Sequence, residues 1–312
     1  MTLRIDIEEF SYQEVPVLKD IHLELAKGEH IAILGESGCG KSTLLHLIYG
    51  LLHLEKGSIY WGDKELLGPN FNLIPGEEFM KLVAQDPNVM PYTKVSENVA
   101  THLSRINLFS DQKRVKELLR VVSLEDFSET MVKHLSGGQK QRVALAKSLA
   151  KTPKLLLLDE PFSHIDSFKK NQLRRNLFEF LKKEQISCIT ATHDAEEALA
   201  FSDRILMLKG GIQERLDHPE KIFNHPENTY QASFFGEVTK NIPASGFPKK
   251  FWLPHEIKTS KNSTPIKATV KASYFKGTQY VIHAVFKEKD IFFNHSRSLE
   301  KESQVFLKFK NT

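Results

Sequence analysis

The sequence predicts an α/β protein whose mainly parallel sheet carries helices on both faces, followed by a small β-barrel. Three observations predict it. Short apolar runs alternate with stretches of helical periodicity over most of the chain. One of those runs, residues 155–158, is four consecutive leucines, as in a strand buried on both faces. After about Gly236 the helical pattern stops and a period of two takes over.

The elements follow in order. Ile31 to Leu34 is an apolar run ending in glycine, and Leu44, Leu45, Leu47 and Ile48 mark the helix behind it. Phe79 to Ala84 is a second strand. Val115, Leu118, Leu119 and Val122 recur at helical spacing, as do Leu173, Leu177 and Leu181. Ile186 to Thr192 and Arg204 to Leu208 complete the strands of the first domain. Asn241 to Pro254 holds three prolines and a glycine and is an irregular entry to the second domain. There Ile266, Ala268, Val270 and Ala272 alternate with Lys267, Thr269 and Lys271, and Tyr280–Phe286 and Gln304–Phe309 follow the same pattern. The division is placed at 1–238 and 239–312.

Bulk properties bound the function. The chain has 312 residues, 40% of them hydrophobic, enough for a packed core. A net charge of +4 is too small for a nucleic-acid binder as a whole. It is unevenly spread: from Glu237 onward there are 14 Lys+Arg against 6 Asp+Glu, a local +8, leaving −4 for the rest. Two cysteines, Cys39 and Cys188, make no disulfide framework. No leader-like apolar stretch opens the sequence, and no apolar run nears the roughly 18 residues of a membrane span. The expectation is a soluble cytoplasmic protein whose membrane role, if any, runs through a partner.

Gly35-Glu36-Ser37-Gly38-Cys39-Gly40-Lys41-Ser42-Thr43 fits the phosphate-loop pattern and lies between a strand and a helix, the context the motif requires. Its glycines let successive N–H groups point at phosphate oxygens, and the helix from Lys41 adds its positive end. Lys41 would neutralise the β- and γ-phosphates and Ser42 would ligate Mg²⁺. The loop alone names a nucleoside triphosphatase or a kinase. The leucine run at 155–158 ends in Leu158-Asp159-Glu160-Pro161. Asp159 suits Mg²⁺, and Glu160 suits the base that orients or deprotonates water.

Leu135-Ser136-Gly137-Gly138-Gln139 decides between these. Here the chain resembles the ATP-binding cassette family, whose signature is LSGGQ. A serine hydroxyl and bare glycine N–H groups at a helix N-terminus form an anion site. The resemblance implies that Ser136, Gly137, Gly138 and Gln139 grip the γ-phosphate held by the opposite copy of a homodimer. It also implies that Tyr12 stacks on adenine and that Gln85 touches Mg²⁺ and water. Asp166 of Ser163-His164-Ile165-Asp166 continues the series, and His193 is the switch histidine near the γ-phosphate. His164 and Ile165 depart from the commonest form of that loop, and Lys147 stands where an arginine is frequent, a change expected to matter little because the charge survives. The resemblance covers about residues 1 to 235.

The same resemblance implies an importer subunit. Met90 to Val99 is similar to the stretch that receives a coupling helix of a permease, and Gly211–Gly236 is similar to importers as well. The β-rich tail resembles the OB-like TOBE domain of ATPases importing polyamines, iron(III), inorganic anions or sugars, with Trp252-Leu253-Pro254-His255-Glu256 at its start. The implied cofactors are ATP and Mg²⁺. The implied partners are a second copy, transmembrane permease subunits and an extracytoplasmic solute-binding protein, with the chain on the cytoplasmic face of the cell membrane and no nucleic acid. The tail's lysines and its aromatics Tyr274, Phe275, Tyr280, Phe292 and Phe293 admit nucleic-acid binding, but barrel filling and a solvated basic surface are the plainer reading. Two alternatives stay open: a cassette ATPase acting on nucleic acid or the ribosome, and an exporter ATPase, which would not need the tail.

Overall fold

A computed structural model of the chain describes residues 2–104, 106–242 and 250–310. Its contacts divide the chain into two compact units, 1–219 and 220–312.

The first unit is built on one ten-stranded sheet. Its parallel core runs β9 (Arg204–Lys209), β3 (His30–Leu34), β8 (Ser187–Thr192), β7 (Leu155–Asp159) and β6 (Met80–Val83). A mainly antiparallel wing, in which only β10 meets β2 in parallel, extends it through β1 (Leu3–Tyr12), β2 (Val15–Leu25), β4 (Lys56–Trp61), β5 (Lys64–Glu65) and β10 (Ile212–Asp217). The wing joins the core through the antiparallel β9–β10 pair. Sequence alternation of strand and helix anticipated the core and not the wing. The wing strands alternate instead: Leu3, Ile5 and Ile7 are buried while Arg4, Asp6 and Glu8 face water.

The leucine run on β7 serves two cores at once. Leu155 and Leu157 pack with α1 (Lys41–Tyr49), while Leu156 and Leu158 pack with α3 (Leu108–Val121), α4 (Gly137–Ser148) and α5 (Ser167–Lys183). Side chains alternate faces along a strand, so Asp159 continues the Leu155–Leu157 face and points toward the start of α1. The helical part of this unit also holds α2 (Val95–Ala100), whose Val95 and Val99 join Leu118 and Leu119 of α3 and Val143 of α4. α6 (Ala195–Phe201) follows β8.

The second unit holds α7 (Pro219–Asn224, whose first residue precedes the division), α8 (Thr229–Ser233), the short pair β11 (Thr239–Lys240) and β12 (Phe251–Trp252), and a five-stranded antiparallel sheet. That sheet runs β13 (Ile257–Ser260), β17 (Gln304–Phe309), β14 (Lys267–Phe275), β15 (Tyr280–Phe286) and β16 (Lys289–His295). The 238/239 division expected from texture is shifted. Phe223 stacks on His255 at 5.1 Å and meets Phe235 edge-on at 5.4 Å, so residues 220–238 pack with the unit that follows them. Most of the irregular entry, 243–249, lies outside the described residues. Ile266, Ala268 and Val270 are buried as alternation requires, but a register shift between Val270 and Ala272 leaves Ala272 only half-buried. Of the aromatics expected to fill this unit, Phe293 is fully buried and Tyr280 packs against the core. Phe292 stacks half-buried on His283 at 4.9 Å, whereas Tyr274 and Phe275 are exposed.

Candidate functional site

The site lies where β3, β7 and β8 end. β3 is buried along its whole length and delivers the chain into the loop Gly35–Gly40. Gly35 and Gly40 are buried, while Ser37 and Gly38 form the exposed lip. Gly40 has φ 101, a conformation open to glycine and strained for other residues, and it turns the loop directly into α1. Lys41 is buried, and its Nζ donates to the carbonyls of Gly35 and Glu36, each at 2.9 Å. The ammonium therefore lies inside the ring of backbone that surrounds it. Ser42 is half-buried on the first turn of α1 and Thr43 is buried beside it.

Asp159 is buried opposite that turn, as the alternation on β7 requires. Burial pushes its carboxyl above the ordinary range, against the opposing pull of the Ser42 hydroxyl. Its Oδ1 is buried with no hydrogen-bond partner. An unpaired buried carboxylate oxygen beside a serine hydroxyl is a costly arrangement that a hard cation relieves, so this donor set fits Mg²⁺.

Glu160 leaves the strand with φ 45, in the left-handed region, at a cost on the order of 1–3 kcal/mol for a residue with a side chain. Its N–H donates to Ala191 O at 3.0 Å, and Ser163 Oγ donates to its carbonyl at 3.0 Å. These bonds hold the turn that swings its carboxylate away from Asp159's face. Glu160 Oε1 then lies 3.2 Å from Nδ1 of His193, an exposed residue just past β8.

The signature segment opens α4. Ser136 caps the helix: its Oγ accepts from Gln139 N–H at 3.3 Å, and Gln139 Oε1 accepts from Ser136 N–H at 2.8 Å. This is the propensity reason for a serine and a glutamine at this spacing. Gly137 is exposed, with no heavy atom within 4 Å of where a Cβ would sit. At Gly138 a Cβ would lie 2.5 Å from His164 O, so the signature turn rests against the loop that leads to Asp166. Asp166 is exposed and caps α5 through its backbone, its carbonyl accepting from Lys169 and Lys170. Among the described residues no hydrogen bond or ion pair joins Ser136–Gln139 to residues 35–43 of the same chain.

Tyr12 ends β1, is 45% exposed, and sets its ring edge-on to Phe10 at 5.1 Å. Gln85 is exposed just beyond β6. α4 supports that segment at two points: Gln141 Nε2 donates to Ala84 O at 3.3 Å and Lys147 Nζ to Asn88 O at 3.2 Å. Lys147 thus bonds to the glutamine segment, a contact that conservation of charge alone did not anticipate. A cleft of about 870 Å³ lies away from the phosphate loop, between α2 and α3, lined by Met90, Thr93, Ser96, Glu97, Leu108 and Val115. Sequence reasoning missed Arg174, which is buried and bridges two carboxylates on the far side of His193. Its signal was an arginine in line with Phe178 and Leu181 on an otherwise apolar helix stripe.

The structure therefore brings Lys41, Ser42, Asp159, Glu160 and His193 into one cluster, and it groups Ser136–Gln139 with His164 in another. The ABC transporter family matches residues 18–163. The spermidine/putrescine import ATP-binding protein PotA of Clostridioides difficile is 38% identical over 297 residues, covering 87% of this chain and 84% of that protein. The Fe(3+) ions import ATP-binding protein FbpC of Haemophilus influenzae is 35% identical over 228 residues, covering 72% of this chain and 65% of that protein. Among solved structures, cbiO1 from Clostridium perfringens, part of the ABC transporter complex cbiONQ, has a TM-score of 0.63 and 30% identity, covering 72% of this chain and 91% of its own. A dimeric ATP-binding cassette in a post-hydrolysis state, bound to ADP and Pi, has a TM-score of 0.60 and 28% identity, covering 70% of this chain and 98% of its own. Taken with the site's geometry, these likenesses mean that the chain belongs to the ABC transporter family, among its ATP-hydrolysing subunits.

Proposed function

We propose that two copies of this chain close around ATP, the loop 35–43 of each facing Ser136–Gln139 of the other, and that closure and reopening drive permease subunits importing a small solute. The observation that carries the reading is the convergence of Lys41, Asp159, Glu160 and His193 at the ends of three neighbouring parallel strands, with Glu160 Oε1 on His193 Nδ1 at 3.2 Å. Tyr12 offers its exposed ring to adenine. The loop N–H groups and Lys41 hold the phosphates, with Thr43 at the base of the loop. Ser42, Asp159 and Gln85 would hold Mg²⁺, which when bound neutralises charge developing on the β- and γ-phosphates. Glu160 orients the attacking water and takes its proton on the carboxylate. His193, bonded to Glu160 through Nδ1, keeps that carboxylate aimed and steadies the transferring charge together with Lys41. The capped N-terminus of α4, with exposed Ser136 and Gly137, supplies N–H donors for the partner's γ-phosphate.

Import is favoured by the relatives, which are spermidine/putrescine and Fe(3+) import ATP-binding proteins. We assign the cargo to that range of small solutes and ions, delivered through transmembrane subunits and an extracytoplasmic binding protein. The cleft between α2 and α3, lined in part by Met90–Glu97, is the surface for the permease. No helix among the described residues is long and apolar enough to cross a membrane, so attachment at the cytoplasmic face runs through those subunits. The five-stranded sheet of the second unit is the TOBE-like domain. Glu160→Gln should keep ATP binding and lose hydrolysis by at least about 10²; undiminished turnover would overturn the reading.

A further inference from the structure

Arg174 sits on α5, the helix that leaves the Asp166 loop, and is 2% exposed. Its Nη2 donates at 2.7 Å to Asp194 Oδ2 and at 2.7 Å to Glu197 Oε2. Its guanidinium also lies 5.4 Å from the centre of the Phe162 ring, two residues past Glu160. One side chain thus touches three segments: the turn that follows Glu160, the residue after His193, and α6. Asp194 is tied at every polar position. Oδ2 also accepts from Lys170 Nζ at 2.9 Å, Oδ1 caps α6 by accepting from Glu197 N–H at 3.2 Å, and the Asp194 N–H donates to Thr192 Oγ1 at 3.1 Å. Burial pushes the Asp194 carboxyl up, but the hydrogen bonds from Arg174 and Lys170 outweigh it and hold the group well below the ordinary range.

We propose that Arg174 is a positioning residue for the Glu160–His193 pair: by clamping Asp194 against Phe162 it fixes the distance between the water-activating carboxylate and the histidine that aims it. His193 itself is 57% exposed on its side chain and has one described bond, to Glu160. Its backbone neighbours must therefore supply its rigidity, and a hydrogen bond of 3.2 Å tolerates little displacement. The network also runs along α5 to Lys170, one turn from Asp166, so a shift of that loop reaches the histidine through one helix and one guanidinium. Among the described residues Arg174 bonds to neither Glu160 nor His193, so it acts on the pair through its neighbours. The inference rests on the reading of Glu160 and His193 given above.

The test measures ATP turnover, apparent ATP affinity and thermal unfolding of the full chain for Arg174→Met, His193→Ala and the double variant, each assayed well below its own unfolding midpoint. Arg174→Met should lower kcat about tenfold through misplacement of the pair while KM for ATP stays within about twofold. Added to His193→Ala it should lower kcat by less than about twofold more, because the residue it positions is already gone. Arg174→Lys, with one ammonium for two carboxylates, should recover part of the loss. If Arg174→Met does not fold, Asp194→Asn gives the same comparison, since an amide oxygen still caps Glu197 N–H while the charged partner of Arg174 is removed. A folded variant with undiminished kcat, or losses that multiply in the double variant, would overturn the proposal. Normal turnover in His193→Ala would overturn the site reading itself, and the inference with it.

Discussion

Gly137→Ala separates what holds the signature helix together from what the signature does. The residue is the first of α4, is exposed, and has no neighbouring heavy atom within 4 Å of an added Cβ, so a methyl fits without steric cost. Its φ is not positive, and alanine loses less conformational freedom than glycine on folding. The substitution should therefore stabilise the first unit by up to about 0.5–1 kcal/mol. For a unit of this size that is a rise in Tm of about 1–4 °C. Activity should move the other way. If the partner's γ-phosphate approaches the Gly137 N–H to hydrogen-bond distance, a methyl on the adjacent carbon intrudes on the oxygen and the donor is lost. Loss of one such donor costs about 10²–10³ in rate. The assay is ATP turnover of the full chain alongside calorimetric or fluorescence unfolding. A raised Tm with unchanged turnover would refute the claim that this helix N-terminus faces a phosphate.

Lys41→Ala should abolish measurable ATP binding and also loosen the loop, because Nζ holds the Gly35 and Glu36 carbonyls; isothermal titration showing unchanged affinity would count against the loop's role. Gly138→Ala, unlike Gly137→Ala, should lower Tm, since its Cβ would lie 2.5 Å from His164 O and the loop carrying His164 must shift. Two buried neighbours with opposite shifts contribute to the pH dependence of stability. Burial raises Glu197 from 4.5 to about 7 despite Arg174, so the folded state binds the extra proton and stability falls as pH rises through that window. Burial lowers His30 from 6.5 to about 4, so the unfolded state binds the extra proton and stability rises as pH goes from about 4 to 6.5. The two slopes oppose, so Glu197→Gln should make stability rise more steeply with pH between about 4.5 and 7 than it does in the parent chain, read from urea unfolding. A variant that keeps the parent's slope would contradict the Glu197 shift.

Much of the site was legible because strand arithmetic is rigid. The position of Asp159 opposite Ser42 follows from the period of two along Leu155–Asp159 once the phosphate loop is placed at the end of β3. The reciprocal Ser136–Gln139 cap was also within reach, being a serine with a glutamine three residues on. Other features depended on contacts between distant segments. The turn at Glu160 is held by Ala191, thirty-one residues away, and no local residue type announces a left-handed glutamate. The Arg174 clamp joins two helices and a turn whose meeting only the folded sheet fixes. The antiparallel wing carried its own alternation in Leu3, Ile5 and Ile7, but the strand-helix alternation of the rest dominated the reading. The 238/239 division followed composition, whereas the contacts of Phe223 and Phe235 draw the preceding segment into the second unit.

In the proposed dimer the two clusters, Lys41 to His193 in one copy and Ser136 to Gln139 in the other, meet across ATP. Light scattering coupled to size-exclusion chromatography of Glu160→Gln, with and without saturating MgATP and with nucleotide occupancy measured in the same peak, tests it most directly. A monomer is expected without ATP and a dimer with it, with return to monomer when Ser136→Arg is added. An ATP-loaded chain that remains monomeric, or a dimer indifferent to Ser136→Arg, would contradict it.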